Sequence, residues 1–144
     1  MSDPECSQTI LRWTLALSLF AGSCASSQAA DQGSPLAEGT WGGPHVELAV
    51  GRRGATIELD CAHGAIAEPI LVGSDGRFKA SGTYVREHGG PVREEEEREG
   101  EPAVYTGSVA GETLTLAIAL AGGSEKVGTF HLVRGRSGRI TKCL

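Results

Sequence analysis

From Gly39 onward, apolar and polar residues alternate with a period of two rather than 3.6. Val46, Leu48 and Val50 alternate with Glu47 and Ala49, and Ile57, Leu59 and Cys61 with Glu58 and Asp60. Phe78, Ala80, Gly82 and Tyr84 alternate with Lys79, Ser81, Thr83 and Val85, and Leu114, Leu116, Ile118 and Leu120 with Thr113, Thr115, Ala117 and Ala119. A strand written this way buries one face and wets the other, and Gly-rich breaks such as 51–54 and 73–76 turn the chain. Eight strands are expected at 44–50, 55–62, 66–72, 77–87, 103–109, 113–120, 127–134 and 139–143. Short links favour an antiparallel meander, and eight strands close most economically into an all-β, up-and-down barrel, because closure removes exposed edges. A two-sheet β-sandwich is the alternative. The inward set is medium-sized and aliphatic, so the interior is expected to be mostly packed and any site to lie at a rim.

Composition narrows the class further. The 21 glycines among 144 residues suit turns and strand bends. A hydrophobic share of 40% excludes a disordered chain, a collagen and a polytopic membrane protein. The net charge of −5 argues against a generic nucleic-acid binder. That charge is local. The run 93–101 holds six Glu against two Arg, and residues 1–38 are also acidic, so the rest of the domain is slightly positive. The acidic run reads as a solvated loop. Arg134, Arg136, Arg139 and Lys142 form a basic cluster near the C-terminus.

Residues 13–22 form an apolar run behind Arg12. A bilayer span needs about 20 residues, so this shorter run reads as the core of a secretory signal. Residues 1–24 are read as a signal peptide, 25–38 as a flexible tether and 39–144 as the barrel domain. Two processing routes fit. Phe20-Ala21-Gly22-Ser23-Cys24 has the form of a lipobox, which would lipidate Cys24 and attach the chain to a membrane; the other route is simple cleavage after Ala25 or Ala29. Both place the domain outside the cytoplasm, as a periplasmic, secreted or lipid-anchored protein.

Setting aside Cys6 and Cys24 leaves Cys61 and Cys143, which in an exported domain suggests one disulfide. The expected strand order resists it. With one strand between them, the two cysteines stand about 9–10 Å apart across the sheet, whereas a disulfide needs Cα atoms within about 7 Å. The terminal Lys142-Cys143-Leu144 would have to fold over the barrel end. Neither a metal-ligand spacing nor a cofactor motif is present in the sequence.

In a meander, one rim collects Trp41 and His45, then His63, then Tyr84, Arg86 and His88, then the loop carrying Arg93, and Tyr105. Parity points Tyr84, Arg86 and His88 inward with Phe78, and His63 inward with Leu59 and Cys61. Inward Arg and His are costly unless paired or wet. Trp41, His63, Tyr84, Arg86, His88, Arg93 and Tyr105 are therefore the expected ligand-binding set, Arg86 offering a planar fork for a carboxylate or phosphate. The competing reading pairs Arg86 with Glu87 or Asp60 and leaves the histidines in water. His131 has the parity of a solvent-facing residue, and the direction of His45 is not readable.

Gly39-Thr40-Trp41 resembles the G-x-W opening of the calycin superfamily, lipocalins and avidins included, and Gly82-Thr83-Tyr84 is similar to an avidin strand. The resemblance implies a basic residue packed on Trp41, with Arg134 or Arg139 as the match. It does not imply biotin binding, since the several pocket tryptophans of avidins are missing. Gly39-Thr40-Trp41-Gly42-Gly43-Pro44-His45, Cys61-Ala62-His63-Gly64, the segment 82–93 and Lys142-Cys143-Leu144 also resemble a group of small exported bacterial barrel proteins. That resemblance implies fold and export and supplies no activity. The expected function is a monomeric, non-enzymatic binding module for a small or peptidic, anionic ligand. The alternatives are a structural or inhibitory envelope protein acting through its surface, and a hydrolase-like enzyme using His, Tyr and Arg at the rim.

Overall fold

The computed structural model describes residues 32–90, 100–122 and 125–143. Among them there is no helix, and the strands are β1 (Ser34–Pro35), β2 (Gly39–Gly43), β3 (Val46–Gly51), β4 (Gly54–Leu59), β5 (Ala62–Ile66), β6 (Leu71–Val72), β7 (Arg77–Arg86), β8 (Glu101–Ala110), β9 (Thr113–Leu120) and β10 (Lys126–Arg134). Eight of them close a barrel in the order β10-β2-β3-β4-β5-β7-β8-β9, and β1 pairs with β6 in a separate two-stranded ribbon. All barrel neighbours are antiparallel, so the expected up-and-down barrel is the observed fold.

The alternation does the sorting. In β9, Leu114, Leu116, Ile118 and Leu120 are buried, while Thr113, Thr115, Ala117 and Ala119 are not. The interior is filled: Trp41, Val46, Leu48, Ile57, Tyr105, Leu114, Leu116, Ile118 and Leu132 are each under 2% exposed. No charged residue is buried among the described residues. Tyr105 crosses the interior and donates its hydroxyl to the Thr83 carbonyl at 2.5 Å. It fits because position 64 is Gly: a Cβ there would sit 2.2 Å from the Tyr105 hydroxyl oxygen. Burial, and then the neighbouring Tyr84, push the Tyr105 phenol up to about 12.

Three of the expected strands are corrected. The first barrel strand is β2, Gly39–Gly43, whose four small residues around Trp41 hide its alternation. The stretch 66–72 contributes only the end of β5 and the short β6, because Pro69 interrupts it. Residues 139–143 form no strand; after Gly135, which turns the chain at φ 76°, residues 136–143 run back along the outside of β2 as a strap. A fourth correction resets parity. The segment 55–62 breaks at Asp60-Cys61, where Cys61 adopts φ 53°, so Ala62 rather than Cys61 is the next inward residue.

Opposite ends of the barrel differ. At one end, residues 32–37 cover the mouth, with the Leu36 amide bonded to the Ile70 carbonyl at 2.8 Å and both side chains buried. At the other end lie the β2–β3 turn, the β4–β5 turn, the end of β7 and the strap.

Candidate functional site

Most of the titratable chemistry sits at the strap end. Glycine at position 42 lets the strap lie down: a Cβ there would meet the Ser137 carbonyl carbon at 2.4 Å and the Gly138 nitrogen at 2.5 Å. The strap then bonds to the β2–β3 turn from both sides. The Arg139 amide donates to the Gly43 carbonyl at 3.1 Å, and the His45 amide donates to the Arg139 carbonyl at 2.9 Å. His45 itself sits at φ 66°, a strained conformation for a residue with a Cβ. Two carboxylates cap strap amides: Glu47 accepts from Gly138 and Asp60 from Thr141, each at 2.7 Å. Lys142 donates to Glu58 at 2.5 Å and to Glu87 at 2.9 Å. Cys143 is bonded to Cys61, with Cα atoms 4.9 Å apart. The expected spacing problem disappears because the strap crosses outside the sheet instead of joining it. The bond is compatible with an oxidising, extracytoplasmic location.

These contacts set the protonation of the rim. Asp60 is held below the usual carboxylate range, first by the Thr141 amide and then by His45, whose Nδ1 lies 2.5 Å from its Oδ2. Glu87 is also lowered, first by Lys142 and then by His63, whose Nδ1 is 2.9 Å from Glu87 Oε1. For Lys142 burial disfavours the charge, but hydrogen bonds to Glu58 and Glu87 outweigh it and leave the ammonium raised. The native state therefore binds fewer protons at Asp60 and Glu87 than the unfolded chain. Their stabilisation is complete above the ordinary values of 3.8 and 4.5 and is lost as pH falls through the lower native values. Hydrogen exchange at pH 6 and pH 3 is expected to show the protection factor of the Thr141 amide falling while that of Ile118 persists.

The seven residues of the expected binding set do not converge. Trp41 is buried in the core towards the other end, with its indole N–H on the Ala37 carbonyl at 3.0 Å. Tyr84 and Tyr105 are core residues, and burial raises the Tyr84 phenol as well. Arg86 keeps its inward parity but stands exposed at the mouth, paired with Glu125 rather than with Glu87 or Asp60, and that bond raises its guanidinium. His63 faces outward, contrary to the expected parity, because the Cys61 turn shifts the alternation by one. His88 lies beyond the end of β7 and is exposed. Arg93 and Cys24 lie outside the described residues, as do the signal segment and most of the acidic run. His131 faces solvent, as its parity implies.

An open groove of about 590 Å³ runs over the β3–β4 hairpin and the end of β5 and carries Arg53, and two smaller clefts flank the barrel ends. One, of about 430 Å³, is lined by Pro44 and His45 from the β2–β3 turn and by Arg139, Ile140 and Thr141 from the strap. His45 has Nδ1 committed to Asp60, leaving Nε2 as its other polar atom. Arg139 is exposed and has no carboxylate partner among the described residues. The other cleft, of about 340 Å³, lies between residues 32–37, Trp41, Val72, Val109 and Arg134. Its one cation, Arg134, is already near Glu112 at 3.8 Å and the Glu38 carbonyl at 3.4 Å. Sequence reasoning missed the His45–Asp60 pair and the strap cleft. The available signal was Cys143 itself, which could reach Cys61 only if the last residues left the sheet. No family model, no curated protein and no solved structure matches the chain.

Proposed function

We propose that the chain is an exported, non-enzymatic binding module that takes a ligand bearing a carboxylate or phosphate group in the cleft between the β2–β3 turn and the strap. The observation that carries this reading is Arg139, a guanidinium in the cleft wall with no carboxylate partner among the described residues, beside His45. A planar guanidinium grips an oxyanion with two parallel hydrogen bonds. Both oxygens of Asp60 are engaged, by His45 and by the Thr141 amide, so they do not compete for Arg139, and its remaining negative charge is what the Arg139 guanidinium has to offset. The filled interior supports a rim site over an internal one. Export rests on the leader-like residues 1–24 and on the disulfide, and lipid attachment through Cys24 is part of the same proposal. The register that sets Arg134 opposite Trp41 supports the calycin-like relationship.

Titrating the labelled protein with inorganic phosphate and with acetate tests it. Amide shifts are expected at His45, Arg139 and Thr141, and Arg139→Ala is expected to weaken binding at least tenfold, about 1.4 kcal/mol. Equal binding by the variant would contradict the reading.

A second reading, an envelope protein acting through its surface, draws on the outer wall of β7–β10. There Ser81, Val104, Thr106, Ala117, Ala119 and Thr129 present short uncharged side chains side by side.

A further inference from the structure

We infer that the strap is a redox latch for the rim cleft: the cleft's second wall stays in place only while Cys61 and Cys143 are bonded. The inference rests on the proposed cleft as the binding site and names how that site is regulated. Two of the five lining residues come from the β2–β3 turn and three from the strap, so displacing the strap removes Arg139 and leaves His45 without a facing wall.

The strap is an outer layer. None of residues 136–143 belongs to the buried core, and only Gly138 and Ile140 among them are half-buried. What holds it besides the disulfide is a handful of rim contacts: Arg139 to Gly43, His45 to Arg139, Glu47 to Gly138, Asp60 to Thr141, and Lys142 to Glu58 and Glu87. Hydrogen bonds and ion pairs at a wet rim add little each. The two non-glycine residues with positive φ among the described residues are His45 and Cys61, and the strap engages both, one through the Arg139 carbonyl and the other through the disulfide. Both stand second in two-residue hairpin turns, Gly43 pairing with Val46 and Leu59 with Ala62, so the strap docks on turns that the barrel itself fixes. Cys143 is exposed and Cys61 half-buried, so the bond is open to attack.

The chemistry is thiol–disulfide exchange with a dithiol. Its thiolate attacks one sulfur and breaks the Cys61–Cys143 bond, giving a mixed disulfide and a free cysteine thiolate. The second thiol of the reductant then displaces the remaining cysteine. The dithiol leaves as a disulfide, having given up two electrons and two protons, and both cysteines end as thiols.

Native-state hydrogen exchange of the ligand-free protein, oxidised and then reduced with dithiothreitol under native conditions, tests this. Thiol labelling read by mass confirms reduction. The amides of His45, Gly138, Arg139 and Thr141 are expected to lose protection at least 100-fold, while Leu116 and Ile118 in β9 remain among the slowest to exchange. In a second arm, Lys142→Ala with the disulfide intact is expected to keep strap protection within tenfold of wild type. Strap amides that stay protected after reduction overturn the latch. So does exchange of strap and β9 amides at one common rate after reduction, which would mean that the strap opens only when the whole barrel does. Failure of the oxidised protein to bind phosphate or acetate overturns the cleft reading instead, and leaves the exchange result to stand by itself.

Discussion

Replacing Trp41 with Ala is expected to destabilise the barrel by about 3–5 kcal/mol, the range for a large aromatic removed from a packed interior. Trp41 is 1% exposed and lies on the shortest barrel seam, where the β10–β2 register consists of Val133 opposite Gly42 and Arg134 opposite Trp41. Its indole also satisfies the Ala37 carbonyl of the segment that covers that end. Truncation would therefore open a cavity, orphan that carbonyl and weaken the closure together. Urea unfolding of the wild type and the variant measures the difference. A small domain has about 5–15 kcal/mol in total, so the variant is expected to unfold at much lower denaturant. A loss under about 1 kcal/mol would mean that Trp41 stands at an open mouth, as the strand count from the sequence had placed it.

The second large effect belongs to the disulfide. Cys61→Ala with Cys143→Ala is expected to cost about 3–4 kcal/mol, because the bond closes a loop of 82 residues in the unfolded chain. Thermal or urea unfolding in the absence and presence of reductant reads it. The variant is expected to match reduced wild type, and oxidised wild type to stand well above both. The loss should be largely independent of Trp41→Ala, since one substitution acts on the unfolded chain and the rim and the other on the core. Unchanged stability in the double-alanine variant would show that the strap carries no share of the barrel's stability.

The alternation made the barrel legible. Leu114 to Leu120 and Phe78 to Tyr84 announce their inward faces without ambiguity, and they frame the interior that was expected to be packed. Single-residue events were not legible. The alternation Ile57, Leu59, Cys61 continues smoothly into His63 on paper, but Asp60-Cys61 is a two-residue hairpin turn that sets Ala62 opposite Leu59 on the inward face and puts His63 outside. No pattern of polarity records such a turn at a non-glycine residue. β2 was hidden for a different reason: Gly39, Gly42 and Gly43 carry no side chain whose polarity could alternate, and Gly42 is small because the strap covers it. The site suffered most, because it depends on both errors. Placing Trp41 at the rim and His63 inside followed from a strand frame shifted by one, whereas the cleft of His45 and Arg139 depends on a strap that was read as the eighth strand.

The shift of three residues from the expected set into the core also changes how the rim works. Tyr84, Tyr105 and Trp41 belong to the packed interior, and the exposed polar side chains of the rim lie outside it. Arg86 and His63 are engaged by Glu125 and Glu87. Arg139, among the basic residues near the C-terminus, is the cation left facing a cleft.

The most direct measurement is a map of amide chemical-shift changes on adding inorganic phosphate to the oxidised protein. Changes confined to His45, Arg139, Thr141 and their immediate neighbours are the predicted result. Changes centred instead on the inward-facing Tyr105, Leu116 and Ile118, or on Arg134 and residues 33–37 at the opposite end, would contradict a rim site at the strap.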